Sequence, residues 1–150
     1  MKIYSAGIFT LLVLSAQLLV CLSCDDGWSE HNGHCYYVQD EKMNFVDAQC
    51  ACNANDAYLV KMDDQAESDF VTGLISDTVW IGTRRAVVDC GCSKWFMIHG
   101  LTQAVFTSWS PSEPNNSGGT EHCVEIRICN NLWNDQTCSD ELKSVCEKAN

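Results

Sequence analysis

Trp109-Ser110-Pro111-Ser112-Glu113-Pro114-Asn115-Asn116, Glu121-His122-Cys123-Val124-Glu125-Ile126 and Leu132-Trp133-Asn134-Asp135 follow one another between positions 109 and 135. Within them, Glu113, Asn115, Glu121, Asn134 and Asp135 supply side-chain oxygens from three carboxylates and two amides. Calcium takes roughly six to eight oxygen ligands in a moderately flexible cage, and neutral amides suit it; magnesium prefers a tight octahedron and keeps its waters. Acidic loops in acidic proteins are usually just solvated. Here a tryptophan precedes both Glu113-Pro114-Asn115 and Asn134-Asp135 and cysteines bracket them, which sets the stretch apart. Pro114 matters because X–Pro bonds can be cis, an isomer that would turn Glu113 and Asn115 toward the same side.

Upstream of this stretch the pattern is helical. Asn44 is a good N-cap with Asp47 in the first turn, and Phe45, Ala48 and Cys52 fall on one helix face. A second helix starts at Asp63 or Asp64; with Asp64 as cap, Glu67 completes a capping box. Ala66, Phe70, Val71, Leu74 and Ile75 form its apolar stripe. Short strands are predicted at Cys35–Val38, Thr78–Ile81, Val105–Trp109, Cys123–Ile128 and Ser144–Cys146. In the fourth of these, Val124, Ile126 and Ile128 alternate with Cys123, Glu125 and Arg127. Helices early, strands late and a Ser/Pro/Asn/Gly-rich segment from Ser110 to His122 predict an α+β fold with a long functional loop.

Further stretches extend the pattern to the whole of 24–150: Asp26-Gly27-Trp28, Gly33-His34-Cys35-Tyr36-Tyr37, Ala57-Tyr58-Leu59-Val60, Val79-Trp80-Ile81-Gly82, Cys138 and Val145-Cys146-Glu147. In order and spacing, these resemble the C-type lectin (C-type carbohydrate-recognition) domain family. The resemblance implies a C-type lectin-like fold: two helices, antiparallel sheets, a long calcium-binding loop and several disulfides. It implies that Glu113, Asn115, Glu121, Asn134 and Asp135 hold one calcium ion that contacts sugar, Asp135 through side chain and backbone carbonyl. It also implies that Glu-Pro-Asn order favours mannose, N-acetylglucosamine or fucose, where Gln-Pro-Asp favours galactose. A calcium with open positions accepts two vicinal hydroxyls. Each hydroxyl can still donate to a ligand carboxylate and accept from a ligand amide, with Glu113 paired to Asn134 and Asn115 to Glu121.

The sequence departs from the family where many members hold an accessory calcium. Thr83-Arg84-Arg85 follows Trp-Ile-Gly, Asn116 stands where an acid often sits, and His122 replaces a frequent Asp. Two arginines repel a cation, so the accessory site is expected to be absent or weak. The resemblance pairs Cys24 with Cys35, Cys52 with Cys146 and Cys123 with Cys138; Cys52 rather than Cys50 keeps the family spacing to Leu59. Cys50, Cys90, Cys92 and Cys129 remain, with three pairings open to them. A Cys90–Cys92 ring would be strained, so bridges from that loop to Cys50 and Cys129 are expected, with an intermolecular bridge as the alternative. Asn115-Asn116-Ser117 is also a glycosylation sequon, and a glycan on Asn115 would remove a ligand.

Composition frames these readings. The 150 residues carry 20 Asp and Glu against 9 Lys and Arg, a net charge of −11. Nucleic acid and anionic lipid would be repelled. Residues 1–23 read as a secretory signal peptide, with Lys2, an apolar run Ile8 to Val20 too short for the ~20 residues of a membrane span, and Cys21 and Ser23 before the cut. A secreted, extracellular domain over 24–150 then retains every cysteine but Cys21, near the ~8–10% of a disulfide scaffold. His31, His34, His99 and His122 lack zinc spacing. No nucleophile elbow occurs. Glu113 and Glu121 resemble a glycosidase pair, but as calcium ligands both would stay ionised and leave no general acid. The five tryptophans read as core rather than sugar platforms.

The expected function is therefore non-enzymatic: a calcium-dependent lectin for mannose, N-acetylglucosamine or fucose on glycoproteins or microbial surfaces, in innate recognition or agglutination. Single sites of this kind bind weakly, so homo-oligomerisation would raise avidity. The alternative is a non-sugar binder on the same scaffold, antifreeze-like or directed at protein or mineral.

Overall fold

The computed structural model describes residues 24–88 and 92–150. The signal-peptide expectation for 1–23 and the expectation for Cys90 lie outside them. The elements run β1 (Ser29–His31), β2 (His34–Met43), α1 (Phe45–Asn53), β3 (Tyr58–Leu59), α2 (Gln65–Leu74), β4 (Val79–Val87), β5 (Ser93–Met97), β6 (Thr102–Gln103), a 3-10 turn (Ser117–Gly119), β7 (Glu121–Arg127), β8 (Leu132–Thr137) and β9 (Leu142–Ala149). The fold is α+β. The sheet path is β1-β2-β9-β4-β5-β6, with β3 on β9 and β7 between β4 and β8. The expectation of antiparallel sheets needs one correction: β4 and β9 pair in parallel, Val79 opposite Lys143 and Trp80 opposite Ser144.

Both helices begin where their caps predict. Asn44 Oδ1 accepts the Asp47 N–H at 3.0 Å, and Asp64 Oδ1 accepts the Glu67 N–H at 2.9 Å. α1 buries Phe45, Ala48 and Cys52 as its pattern requires. α2 turns Val71 and Ile75 into the core and packs Phe70 and Leu74 against it, as its stripe predicts, but Ala66 is exposed and Glu67 and Ser68 are buried in its place. The cause is polar. Glu67 accepts the Tyr36 hydroxyl at 2.7 Å and the Asp63 N–H at 2.7 Å, which hold its carboxylate inward.

Strand alternation splits the core into two layers. Val79 and Ile81 of β4, Val124 and Ile126 of β7 and Val145 of β9 join Val71 and Ile75 on one face. Trp80, Cys123 and Cys146 point to the other, against Phe45, Ala48 and Cys52 of α1. Buried on both faces, these strands read as near-continuous apolar runs. Disulfides join Cys24 to Cys35, Cys52 to Cys146 and Cys123 to Cys138, the pairs that the family resemblance implies. The expected bridges to Cys50 and Cys129 do not form; both are exposed thiols, Cys50 on the outer side of α1 and Cys129 in the turn joining β7 to β8.

Val105–Trp109 is not a strand. Val105 is 96% exposed, and only Trp109 makes a bridge, to Trp133. The Ser108 carbonyl takes the Trp133 N–H at 2.7 Å and Ser110 N–H reaches the Trp133 carbonyl at 2.8 Å. These two bonds moor the start of the 110–120 loop against β8, beside Asn134 and Asp135.

Candidate functional site

The β7–β8 hairpin is the platform of the site. Asn134 and Asp135 lie on β8 opposite Glu125 and Val124 of β7, buried. The loop folds back over them. Asp135 accepts the Asn115 N–H at 2.9 Å through Oδ1 and the Asn116 N–H at 2.8 Å through Oδ2, so one carboxylate fixes two successive loop residues. The Glu113–Pro114 peptide bond is cis. Glu113 N–H reaches the Ser110 carbonyl at 3.0 Å, and the Glu113 side chain is 7% exposed.

Glu113 meets opposing fields. Burial raises its pKa above the usual carboxylate value; the Arg127 guanidinium, 3.6 Å away, opposes the rise, and the Asp135 and Glu121 carboxylates add to it. Glu121 turns Oε2 onto the Ser117 N–H at 2.6 Å, and its own N–H reaches Asn116 Oδ1 at 3.2 Å. Asn115 is exposed at the lip of the site. The structure thus brings Glu113 to Asn134 and Asp135 at the hairpin, with Asn115 on the loop and Glu121 at the start of β7. Among the described residues no three His, Cys, Asp or Glu side chains stand together as a closed metal cage.

Among the described residues, two of the site's buried oxygens nevertheless lack any hydrogen-bond partner: Glu113 Oε2 and Asn134 Oδ1. Unpaired buried acceptors are costly, about 1–3 kcal/mol each, and carboxylate and amide oxygens are the hard donors that calcium takes. The donor chemistry therefore fits calcium: Glu113 and Asn134 would hold it, with Asp135, Asn115 and Glu121 as the nearby oxygens.

Glu125 and Arg127 were not singled out from the sequence, and both shape the site. Glu125 is 4% exposed and accepts from Asn134 Nδ2 at 2.9 Å. Arg127 Nε lies 3.4 Å from Glu125 Oε1. Glu125 thereby fixes the Asn134 amide with its oxygen facing away. The readable signal was register: Glu125 is the cross-strand partner of Asn134. The four histidines behave as packing or surface groups. His31 stacks on Phe70 with centroids 4.3 Å apart, His99 on Tyr58 at 3.6 Å, His34 Nδ1 lies 2.6 Å from Glu147, and His122 is half-exposed. Trp80 and Trp133 are fully buried.

Residues 41–148 match the family model described as the lectin C-type domain. The chain is 34% identical over 134 residues to mouse C-type mannose receptor 2, covering 87% of this chain and 9% of the receptor, so it spans under a tenth of that relative's length. It is 29% identical over 132 residues to perlucin of Haliotis laevigata, covering 83% of each. The C-type lectin domain of murine dendritic cell inhibitory receptor 2, solved in complex with N-glycan, superposes with a TM-score of 0.76 at 31% identity, covering 85% of this chain and 100% of that one.

Proposed function

The chain belongs to the C-type lectin domain family, and from that premise we propose that it is a secreted, calcium-dependent carbohydrate-binding protein of mannose type. The observation that carries the proposal is the pair of unpartnered buried oxygens, Glu113 Oε2 and Asn134 Oδ1, in a chain similar to a C-type lectin domain solved with N-glycan. Bound there, calcium supplies coordination positions that two vicinal sugar hydroxyls can fill.

The chain's own residues do the selecting. Asn134 commits one Nδ2 hydrogen to Glu125, which leaves the second for a lone pair of a sugar hydroxyl. Glu113 accepts a hydroxyl proton beside it. Asn115, exposed, offers the same amide donor, and Glu121 the same acceptor, on the loop side. Asp135 keeps the loop in register through the Asn115 and Asn116 amides. One calcium per chain is proposed, because Arg84 and Arg85 stand where a second cation would need acids. Because a diol contact is shallow, monosaccharides bind weakly, and glycoprotein or microbial-surface glycans are held through multivalency.

The test is retention on mannose-agarose. The proposal expects retention in calcium, release by chelator, and release in acid as protons compete for the three carboxylates. Retention indifferent to chelator and acid would overturn it, and no retention in calcium would point to a non-sugar role for the scaffold.

A further inference from the structure

Arg85 is unusual in this molecule. Among the described residues, Lys42, Lys61, Arg127, Lys143 and Lys148 are each paired with a carboxylate and Lys94 bonds Gln103, whereas Arg84 and Arg85 have neither kind of partner. Their guanidinium donors are therefore open to solvent or to a ligand. Alternation along β4 leaves Arg84 exposed and Arg85 half-buried, opposite Trp95 of β5.

Of the three clefts that Arg85 lines, two are also lined by Asn116 of the loop. One, of about 300 Å³, runs past Trp95 to Asn115 and Asp135 of the candidate calcium site. The other, of about 190 Å³, is walled by Arg85, Val87, Ser93, Asn116 and His122. Arg85, Ser93 and Asn116 line both. Among the described residues, none that lines the second cleft is a carboxylate. Its polar groups are a guanidinium, an imidazole, a hydroxyl and an amide; Asn116 Oδ1 is already engaged by the Glu121 N–H, which leaves its NH₂ as the amide's available group. Oxyanions are recognised by such convergent donors, and arginine holds them bidentately.

We infer that this cleft is an anion subsite, and that the saccharide taken by the lectin site is one bearing a sulfate, phosphate or carboxylate on its exocyclic carbon. The inference rests on the proposed sugar-binding reading and narrows its substrate class. The ring hydroxyls meet the calcium-site residues, and the charged substituent reaches Arg85, Ser93, Asn116 and His122. The net charge of −11 works against polyanions at long range, so a single charged group on an otherwise neutral sugar is the ligand that fits.

The experiment uses the full oxidised chain in calcium, on mannose-agarose, with soluble competitors: methyl α-mannoside, mannose 6-sulfate, mannose 6-phosphate and mannuronic acid. At least one charged competitor is expected to act at roughly tenfold lower concentration than methyl α-mannoside, the equivalent of one charge-assisted hydrogen bond. The three arms separate sulfate, phosphate and carboxylate as sources. Arg85→Gln is expected to erase that advantage while methyl α-mannoside competes as before, and added salt to shrink it. No advantage for any charged competitor, or an advantage that survives Arg85→Gln, overturns the inference. Loss of all competition, neutral sugar included, in the wild type marks failure of the lectin reading instead. Inorganic sulfate, titrated at constant ionic strength and followed through the His122 ring resonance, then decides the subsite. A shift present in the wild type and absent in Arg85→Gln supports it, and no shift in either overturns it.

Discussion

Glu125 accepts a hydrogen bond from Asn134 Nδ2 at 2.9 Å, across a register in which the two residues face each other on β7 and β8. This bond orients an amide whose oxygen has no other partner. Groups that orient a metal ligand are typically worth 10–100-fold in metal affinity. Glu125→Leu should therefore weaken calcium binding by roughly 10–100-fold. Glu125→Gln, which keeps an acceptor oxygen, should stay within a few-fold of wild type. Calcium titration followed by tryptophan fluorescence checks both; equal losses would show that charge, not orientation, is what Glu125 contributes.

Donor and acceptor order at the loop is the proposed selector of sugar. Glu113→Gln combined with Asn115→Asp exchanges an acceptor for a donor at one position and the reverse at the next. Competitive elution from mannose-agarose and galactose-agarose should then favour galactose. A double variant that still takes up calcium and still prefers mannose would count against this selector.

Glu67 makes a pH prediction. Burial raises its carboxyl above the ordinary 4.5, the Asp63 N–H and Tyr36 hydroxyl pull it down, and the Glu147 and Asp63 charges push it up, with a net rise. Between the unfolded value and the raised native one, the native state binds more protons than the unfolded chain. This carboxyl's contribution to stability accordingly falls as pH increases through that window. Urea unfolding from about pH 4 to 7 should show Glu67→Gln losing that downward component relative to wild type. Parallel pH profiles for the two proteins would contradict the assignment.

Gly82 sits where β4 passes β3. A Cβ there would run into the carbonyl oxygens of Leu59 and Val60, while Gly82 N–H bonds the Val60 carbonyl at 2.8 Å. Backbone has no room to yield, so Gly82→Ala should lower stability by about 1–3 kcal/mol. Thermal melts measure it, and an unchanged Tm would refute the close approach.

Features set by nearby residues were legible in the sequence. The Asn44 and Asp64 caps depend on side chains three positions from their targets, and both helices start there. Features set by distant partners were less so. Ala66 reads as core and is exposed, because Tyr36, far away in sequence, captures Glu67. Val105 to Trp109 reads as strand from its valine, phenylalanine and tryptophan, yet only Ser108 to Ser110 find a backbone partner, at Trp133. The oxygen ligands are legible by residue type, whereas the Glu125–Asn134 bond requires the β7–β8 register. The Arg85 cleft joins β4, β5 and the loop, and no contiguous stretch contains it.

Calorimetric titration of calcium into the folded, oxidised chain addresses the central claim most directly, run beside Glu113→Gln and Asn134→Leu. The account predicts one calcium per wild-type chain and much weaker uptake by each variant. Absence of calcium uptake by the wild type, or uptake indifferent to both substitutions, would contradict it.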